Sequence, residues 1–176
     1  IIRGPGSEKL KQIVQKQIEN ITKFDPSKIP HWKGGPGDYP SVKRKTTQIL
    51  KHLGMEDIVN ITLAEPAADQ SLSYTLWKRQ NEFVLAAFTL NFVGGQPSVF
   101  IREYSSDDSG GWKCFKAIVT HFESPANRAA AITHLMGQLT ALIYSNCSNY
   151  SMVQHLTKFQ GFIQDLNDSG HVTDDT

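Results

Sequence analysis

The sequence contains no long apolar run and only two cysteines. No stretch approaches the roughly 20 consecutive apolar residues that a membrane-spanning helix needs, so we expect no membrane partner. Cys114 and Cys147 match no zinc-binding or redox spacing, which is typical of a protein from a reducing compartment, here the cytoplasm or nucleus. A single disulfide between these two cysteines stays open.

Motifs for catalysis, metal binding and phosphate binding are also missing. Asp107 and Asp108 fall in a predicted turn, where aspartate is favoured by turn geometry. The histidines have no second ligand at useful local spacing; they are His31, His52, His121, His134, His155 and His171. We therefore expect a binding protein that is not an enzyme, with no catalytic residues, no metal and no cofactor. A catalytic site that assembles only in space stays open.

The length and composition indicate a single folded domain. The chain has 176 residues, of which 39% are hydrophobic and 20% charged, well away from the composition of disordered chains. Residues 1–7 include Gly-Pro-Gly-Ser, which resembles a cloning remnant. We predict one domain over residues 8–170 and a frayed acidic tail over 171–176.

Charge is distributed unevenly along the chain. Residues 1–53 hold eleven Lys/Arg against four Asp/Glu, a balance of +7, whereas residues 54–176 hold seven against thirteen, a balance of −6. Such asymmetry favours an anionic partner for the basic part. A solvated helix face rich in lysine is the alternative explanation.

Helices are predicted at both ends of the chain. Apolar residues recur at three-to-four spacing over 8–24, over 41–53 with Ser41 as cap, from Ser124-Pro125 to Ile143, and over 149–167. The second helix carries a basic cluster that either solubilises the protein or contacts phosphates: Lys43, Arg44, Lys45 and Lys51.

β-Branched and aromatic runs broken by turn residues occupy the middle of the chain. They predict strands over 58–63, 72–78, 82–91, 98–104 and 112–122, with hairpin connections at Gly94-Gly95 and Asp107–Gly111. The predicted fold class is therefore α+β, an antiparallel sheet of four to five strands flanked by N-terminal and C-terminal helices.

The segment Ile101-Arg102-Glu103-Tyr104 is followed by an acidic-glycine turn, the segment 112–118 and a helix. This order resembles the single-stranded-DNA-binding transcriptional coactivators of the positive-cofactor-four type, over about residues 74–145. The resemblance implies that Lys78, Arg102 and Lys116 contact a nucleic-acid backbone from a curved sheet, and that helices build a dimer.

The residue types on the predicted sheet agree with strand binding on physical grounds. Sequence-tolerant binding of single strands needs cations along the phosphates and aromatic rings for base stacking. The sheet would supply both, from Trp77, Lys78, Arg79, Arg102, Tyr104, Trp112, Lys113 and Lys116. Arg102 and Tyr104 share strand parity and would share a face, as would Trp112 and Lys116. Alternatively, the aromatic residues belong to the core and the lysines protect strand edges.

Two functional hypotheses follow from the sequence. The first is a nucleic-acid-binding domain, dimeric, that holds single-stranded DNA or RNA with the sheet and the basic second helix. The second is a protein-interaction or assembly domain, viral or scaffold-like, that uses the apolar C-terminal helices or the loop between Trp32 and Tyr39. These two aromatic residues are predicted to anchor the loop on the core, with exposed contact residues as the alternative.

Overall fold

The protein is built from helices throughout the part of the chain that the structure describes. The structure is a computed structural model that describes residues 5–69, 71–144 and 152–171, with side chains for 8–69, 71–142 and 153–171. The helices are α1 (Pro5–Lys23), α2 (Tyr39–His52), α3 (Glu56–Val59), α4 (Leu72–Asn91), α5 (Gly95–Glu103), α6 (Gly110–Phe122), α7 (Pro125–Tyr144) and α8 (Met152–Asp168), with a 3₁₀ turn at Pro26–Lys28.

The predicted α+β fold is wrong. Most of the described residues are helical, and they contain no strand and no sheet. Predicted strands 72–78 and 82–91 together form α4, while 98–104 and 112–122 fall largely in α5 and α6; the segment 58–63 contains the end of α3 and a turn. Extended pairing in the described residues is limited to an isolated parallel bridge between Trp32 and Phe92.

The four predicted terminal helices are confirmed as α1, α2, α7 and α8. α2 begins at Tyr39, so Ser41 lies inside the helix and does not cap it. Some parts of these predictions lie outside the described residues. They are residues 1–4 of the predicted cloning remnant, the side chain of Ile143, Cys147, the segment 149–151 of the last predicted helix, and residues 172–176 of the predicted tail. Pro5–Ser7 of that remnant begin α1.

α4 is a helix because its buried positions follow a helical period. They are Trp77, Gln80, Asn81, Val84, Ala87, Phe88 and Asn91, which recur every three or four residues. The helix also has a good start, since the Ser71 hydroxyl accepts a hydrogen bond from the Tyr74 N–H at 3.1 Å. Three of the buried residues are amides, and each amide donates to a backbone carbonyl oxygen.

The chain divides into two compact units. Unit 1 spans residues 1–34 and 45–119, and unit 2 spans residues 35–44 and 120–176. The single domain predicted over 8–170 stays a prediction. In unit 1, α1, the 3₁₀ turn and α5 all pack against α4. In unit 2, α7 and α8 pack against each other.

A polar cluster joins the elements of unit 2. The Tyr39 hydroxyl donates to Glu123 Oε1 at 3.1 Å, and the Lys43 ammonium binds the same oxygen. The Tyr39 ring stacks on Phe122 with 5.1 Å between centroids. Burial, and then the neighbouring Glu123 carboxylate, raises the pKa of Tyr39, so its hydroxyl remains a hydrogen-bond donor.

Trp32 and Tyr39 are both buried, which confirms that they anchor the loop. Trp32 is 2% exposed in unit 1 and Tyr39 is 6% exposed in unit 2. The alternative, in which these rings are exposed contact residues, is therefore wrong.

Cys114 on α6 is fully buried, and burial raises the pKa of its thiol to about 12. Because the thiolate is the reactive form, we expect iodoacetamide at pH 8 to alkylate native Cys114 on the order of a thousandfold more slowly than an ordinary exposed cysteine of pKa about 8.5. Mass spectrometry of the peptide that contains Cys114 gives the rate, and urea-unfolded protein provides the fully reactive control. Fast labelling of the native chain would contradict this burial.

Candidate functional site

The predicted nucleic-acid-binding residues of the middle segment lie on three helices and do not share a sheet surface. Trp77, Lys78 and Arg79 are on α4, Arg102 and Tyr104 are in α5 and at its C-terminal end, and Trp112, Lys113 and Lys116 are on α6. Strand parity therefore no longer applies. Lys116 does lie beside Trp112, because the two are one helical turn apart, with 4.8 Å between the ammonium and the ring centroid.

The two tryptophans predicted to stack on bases are part of the core of unit 1. Trp77 is 4% exposed and Trp112 is 5% exposed, and their ring centroids are 6.0 Å apart. Trp77 Nε1 donates to Ser109 Oγ at 2.9 Å, and Trp112 Nε1 donates to the Asn60 carbonyl oxygen at 3.1 Å. Neither ring therefore offers an exposed face, and the alternative that these aromatic residues belong to the core agrees with the structure.

Most cations of this set neutralise nearby carboxylates within unit 1. Lys78 Nζ lies 2.7 Å from Asp108 Oδ1, and Arg79 Nη1 lies 2.8 Å from Glu82 Oε2. Lys113 Nζ lies between two carboxylates, 2.6 Å from Asp107 Oδ2 and 3.0 Å from Glu65 Oε1. The Lys113 hydrogen bond lowers the pKa of Asp107, so this ion pair persists at neutral pH. Arg102 Nε donates to the Ser98 carbonyl oxygen at 3.3 Å.

Two of the four basic residues of α2 are paired with carboxylates. In unit 2, Lys43 binds Glu123, while Arg44 Nη2 lies 2.8 Å from Asp165 and Arg44 Nη1 binds Asp168. Lys45 and Lys51 are exposed in unit 1 and form no ion pair with any described residue. Nucleic-acid binding stays a prediction that rests on the net charge of residues 1–53, because the described residues do not form the sheet that the sequence resemblance implied.

Neither a metal site nor a membrane span is found within the described parts of the chain. There, no group of three or more His, Cys, Asp or Glu side chains could hold a metal ion. Among the same residues, no helix combines the length and the apolar character needed to cross a membrane.

Two other surfaces are suited to binding, one in each unit. The first, which we call the α7 surface, is the exposed side of α7 in unit 2, where residues 129–141 include no Asp, Glu, Lys or Arg. The second, which we call the α1–α4 cleft, lies in unit 1, has a volume of about 590 Å³ and is lined by α1, by segments 54–57 and 66–69 and by the first half of α4.

Comparisons with protein-family models, curated proteins and solved structures find no match.

The sequence pointed to the first surface but not to the second. The strongly apolar character of residues 125–144 is visible in the sequence, and we predicted an interaction role for it. The cleft is lined by four separate segments, and the strand prediction for 72–78 gave that segment the wrong periodicity. The one available signal was the cluster of acidic residues Glu56, Asp57 and Asp69 that follows the basic first third.

Proposed function

We propose that this protein is an assembly module that associates with a second copy of itself through the α7 surface and the adjoining exposed residues of α8. The observation that carries the proposal is the absence of charge from a long, solvent-exposed helix side in the described part of unit 2. This proposal develops the assembly hypothesis from the sequence.

The α7 surface differs from an ordinary solvated helix side. Residues 129–144 include no Asp, Glu, Lys or Arg. A surface helix normally places charged side chains opposite its buried side, and here the buried side is marked by Ala131, Leu135 and Leu142. The exposed side instead carries no acidic residue, lysine or arginine, and its residues are Ala129, Ala130, Thr133, His134, Met136, Gly137, Thr140 and Ala141.

α8 adds larger apolar side chains to unit 2. Val153 is 72% exposed and Leu156 is 50% exposed, and the first charged residue of the helix is Lys158. Burying a valine or leucine side chain completely stabilises a complex by about 1.5–3 kcal/mol. Covering these residues would therefore contribute a favourable free energy of association.

A second copy is the partner that a neutral surface suits best. In a two-fold symmetric contact the same patch lies on both sides, so a charge near the symmetry axis would face a copy of itself. An uncharged surface avoids this repulsion. Small side chains such as Ala130, Gly137 and Ala141 also let two helices approach closely.

Sedimentation equilibrium of the purified chain tests the proposal with charge-introducing variants. We expect a concentration-dependent mass for the unmodified chain, and Thr140→Glu with Leu156→Glu should raise the dimer dissociation constant at least tenfold. Both residues are exposed, and glutamate is a better helix former than threonine, so the helices should remain folded.

Matched controls are available on α4 in unit 1. Thr89 is an exposed helical threonine whose hydroxyl donates to the carbonyl oxygen four residues earlier, as that of Thr140 does. Leu90 is 55% exposed, close to the 50% of Leu156. Thr89→Glu with Leu90→Glu should leave the dissociation constant unchanged. A monomeric unmodified chain at the highest concentration tested, or equal effects of the two pairs, would overturn the proposal.

A further inference from the structure

The α1–α4 cleft of unit 1 leaves large apolar side chains uncovered. On α1, Leu10, Ile13, Val14 and Gln17 line it at three-to-four spacing, so one stripe of the helix faces the cleft. Leu10 is 46% exposed and Ile13 is 56% exposed, whereas Val14 and Trp77 below them are buried. The cleft is therefore an apolar groove in which the wall formed by Leu10 and Ile13 is exposed to solvent.

The charged side chains that line the cleft are all acidic. Three carboxylates line it, those of Glu56, Asp57 and Asp69, and no lysine or arginine is among the lining residues. None of the three forms an ion pair with a cation in the described part of the chain. Asp69 accepts a hydrogen bond from the Ser71 N–H at 2.8 Å, and hydrogen bonding to Ser71 lowers the pKa of this carboxyl.

The cations of α1 do not neutralise these carboxylates. Lys11 lies 3.3 Å from Glu8, and neither Lys9 nor Lys16 lines the cleft. A negatively charged rim beside an apolar groove disfavours a polyanion and attracts a cationic ligand that also has apolar side chains. At 590 Å³ the cleft has room for several side chains, the size of site that a short amphipathic peptide occupies.

We propose that the α1–α4 cleft binds a cationic amphipathic peptide segment of a partner protein. Apolar side chains of the segment contact Leu10 and Ile13, and its lysine or arginine side chains face Glu56, Asp57 and Asp69. Charge complementarity favours a cationic segment, because the described residues of the cleft contribute three carboxylates and no lysine or arginine.

Fluorescence anisotropy with a designed probe tests this binding. The probe is a short fluorescein-labelled peptide with leucines at three-to-four spacing and lysines between them, and two companion peptides replace the lysines by glutamate or the leucines by serine. The lysine-leucine peptide should bind saturably, more weakly as salt rises, and both companions should bind at least tenfold more weakly.

Protein variants locate the binding site. Neutralising two rim residues together, Glu56→Gln with Asp57→Asn, should weaken binding of the probe roughly tenfold at low salt. The matched control neutralises two exposed carboxylates outside the cleft, Glu19→Gln with Glu103→Gln, and so changes the net charge of the chain equally. For the apolar wall, Ile13→Gln should also weaken binding about tenfold, with Leu90→Gln as the exposed apolar control.

Three outcomes would overturn the proposal. One is the absence of saturable binding at low salt, and another is an equal loss for the rim pair and its control. The third is that Ile13→Gln lowers the sedimentation mass without changing peptide affinity, which would assign the cleft to a second copy of the chain. Self-association through α7 is measured separately, so either proposal can fail without the other.

Discussion

Replacing Trp32 by alanine is expected to lower the free energy of unfolding by about 3–5 kcal/mol, the cost of removing a large buried aromatic side chain. Trp32 is 2% exposed and packs edge-on against Phe92 with 5.3 Å between ring centroids. Its backbone N–H donates to the Asn91 carbonyl oxygen at 2.8 Å, and its carbonyl oxygen accepts from the Val93 N–H at 3.0 Å. The ring therefore holds an irregular segment of unit 1 against the end of α4.

Urea denaturation followed by circular dichroism measures this loss. Trp32→Phe keeps an aromatic ring next to Phe92 and should cost less than the alanine variant. His31→Ala is the control. The His31 side chain, next to Trp32 in the sequence, is exposed, and surface substitutions usually change the free energy of unfolding by less than about 0.5 kcal/mol. If Trp32→Ala and His31→Ala were equally stable, Trp32 would not be the anchor that its burial indicates.

The sequence predicted the terminal helices because their apolar residues alone repeat at helical spacing. α1, for example, contains Val14, Ile18 and Ile21 separated by polar residues, and no polar residue occupies a core position of that pattern. Pro125 in the first turn marked the start of α7 for the same reason that proline suits any helix start. The apolar pattern and the observed secondary structure agree in these segments.

In α4, the apolar sequence pattern and the packing of the core disagree. Gln80, Asn81 and Asn91 occupy buried positions of the helix, although a purely apolar pattern assigns each of them to the exposed side. With those three positions removed, the remaining apolar residues divide into two short runs that resemble strands. The amides are tolerated in the core because each donates to a backbone carbonyl oxygen: those of Gly54, Trp77 and Pro26, respectively.

α6 was mistaken for a strand because of its composition. Residues 112–122 are rich in aromatic and β-branched side chains, which favour strands, and two glycines precede them as in a hairpin. Yet Trp112, Phe115, Ile118 and Phe122, which are buried, recur at three-to-four spacing. Periodicity was the better guide here than residue type.

The interaction surfaces differ in how far the sequence could predict them. The α7 surface belongs to one helix, so its lack of charge is a property of one continuous segment. The α1–α4 cleft depends on residues 10 to 80 coming together, and only the correct assignment of α4 brings Tyr74 and Trp77 beside α1. Sites formed by several segments are missed whenever one of those segments is assigned to the wrong secondary structure.

The contact between α4 and the start of α6 gives the second large expected effect. Asn81 is 1% exposed, its Oδ1 accepts from the Trp112 N–H at 2.7 Å, and its Nδ2 donates to the Trp77 carbonyl oxygen at 2.9 Å. Asn81→Leu keeps the branched shape of the side chain, with bulkier methyl groups, but leaves the buried Trp112 N–H without its acceptor. We expect a loss of about 1–3 kcal/mol in the free energy of unfolding.

Gly111 allows the two helices to approach closely enough for that hydrogen bond. A Cβ atom at this position would lie 2.6 Å from the Asn81 carbonyl oxygen and 3.0 Å from Val84 Cβ, so Gly111→Ala must push α4 and α6 apart. Overpacking of this kind costs about 1–3 kcal/mol. The control is Gly161→Ala on α8, where no atom lies within 4 Å of the added Cβ and alanine should stabilise the helix by about 0.5–1 kcal/mol.

The two variants combined distinguish this explanation from two independent defects. Once Gly111→Ala has separated the helices, the hydrogen bond between Asn81 and the Trp112 N–H is already weakened, so Asn81→Leu has less left to remove. The double variant should therefore lose less stability than the sum of the single losses, as expected for residues in contact. Strict additivity in urea denaturation would mean that Gly111 does not control the approach on which the Asn81 hydrogen bond depends.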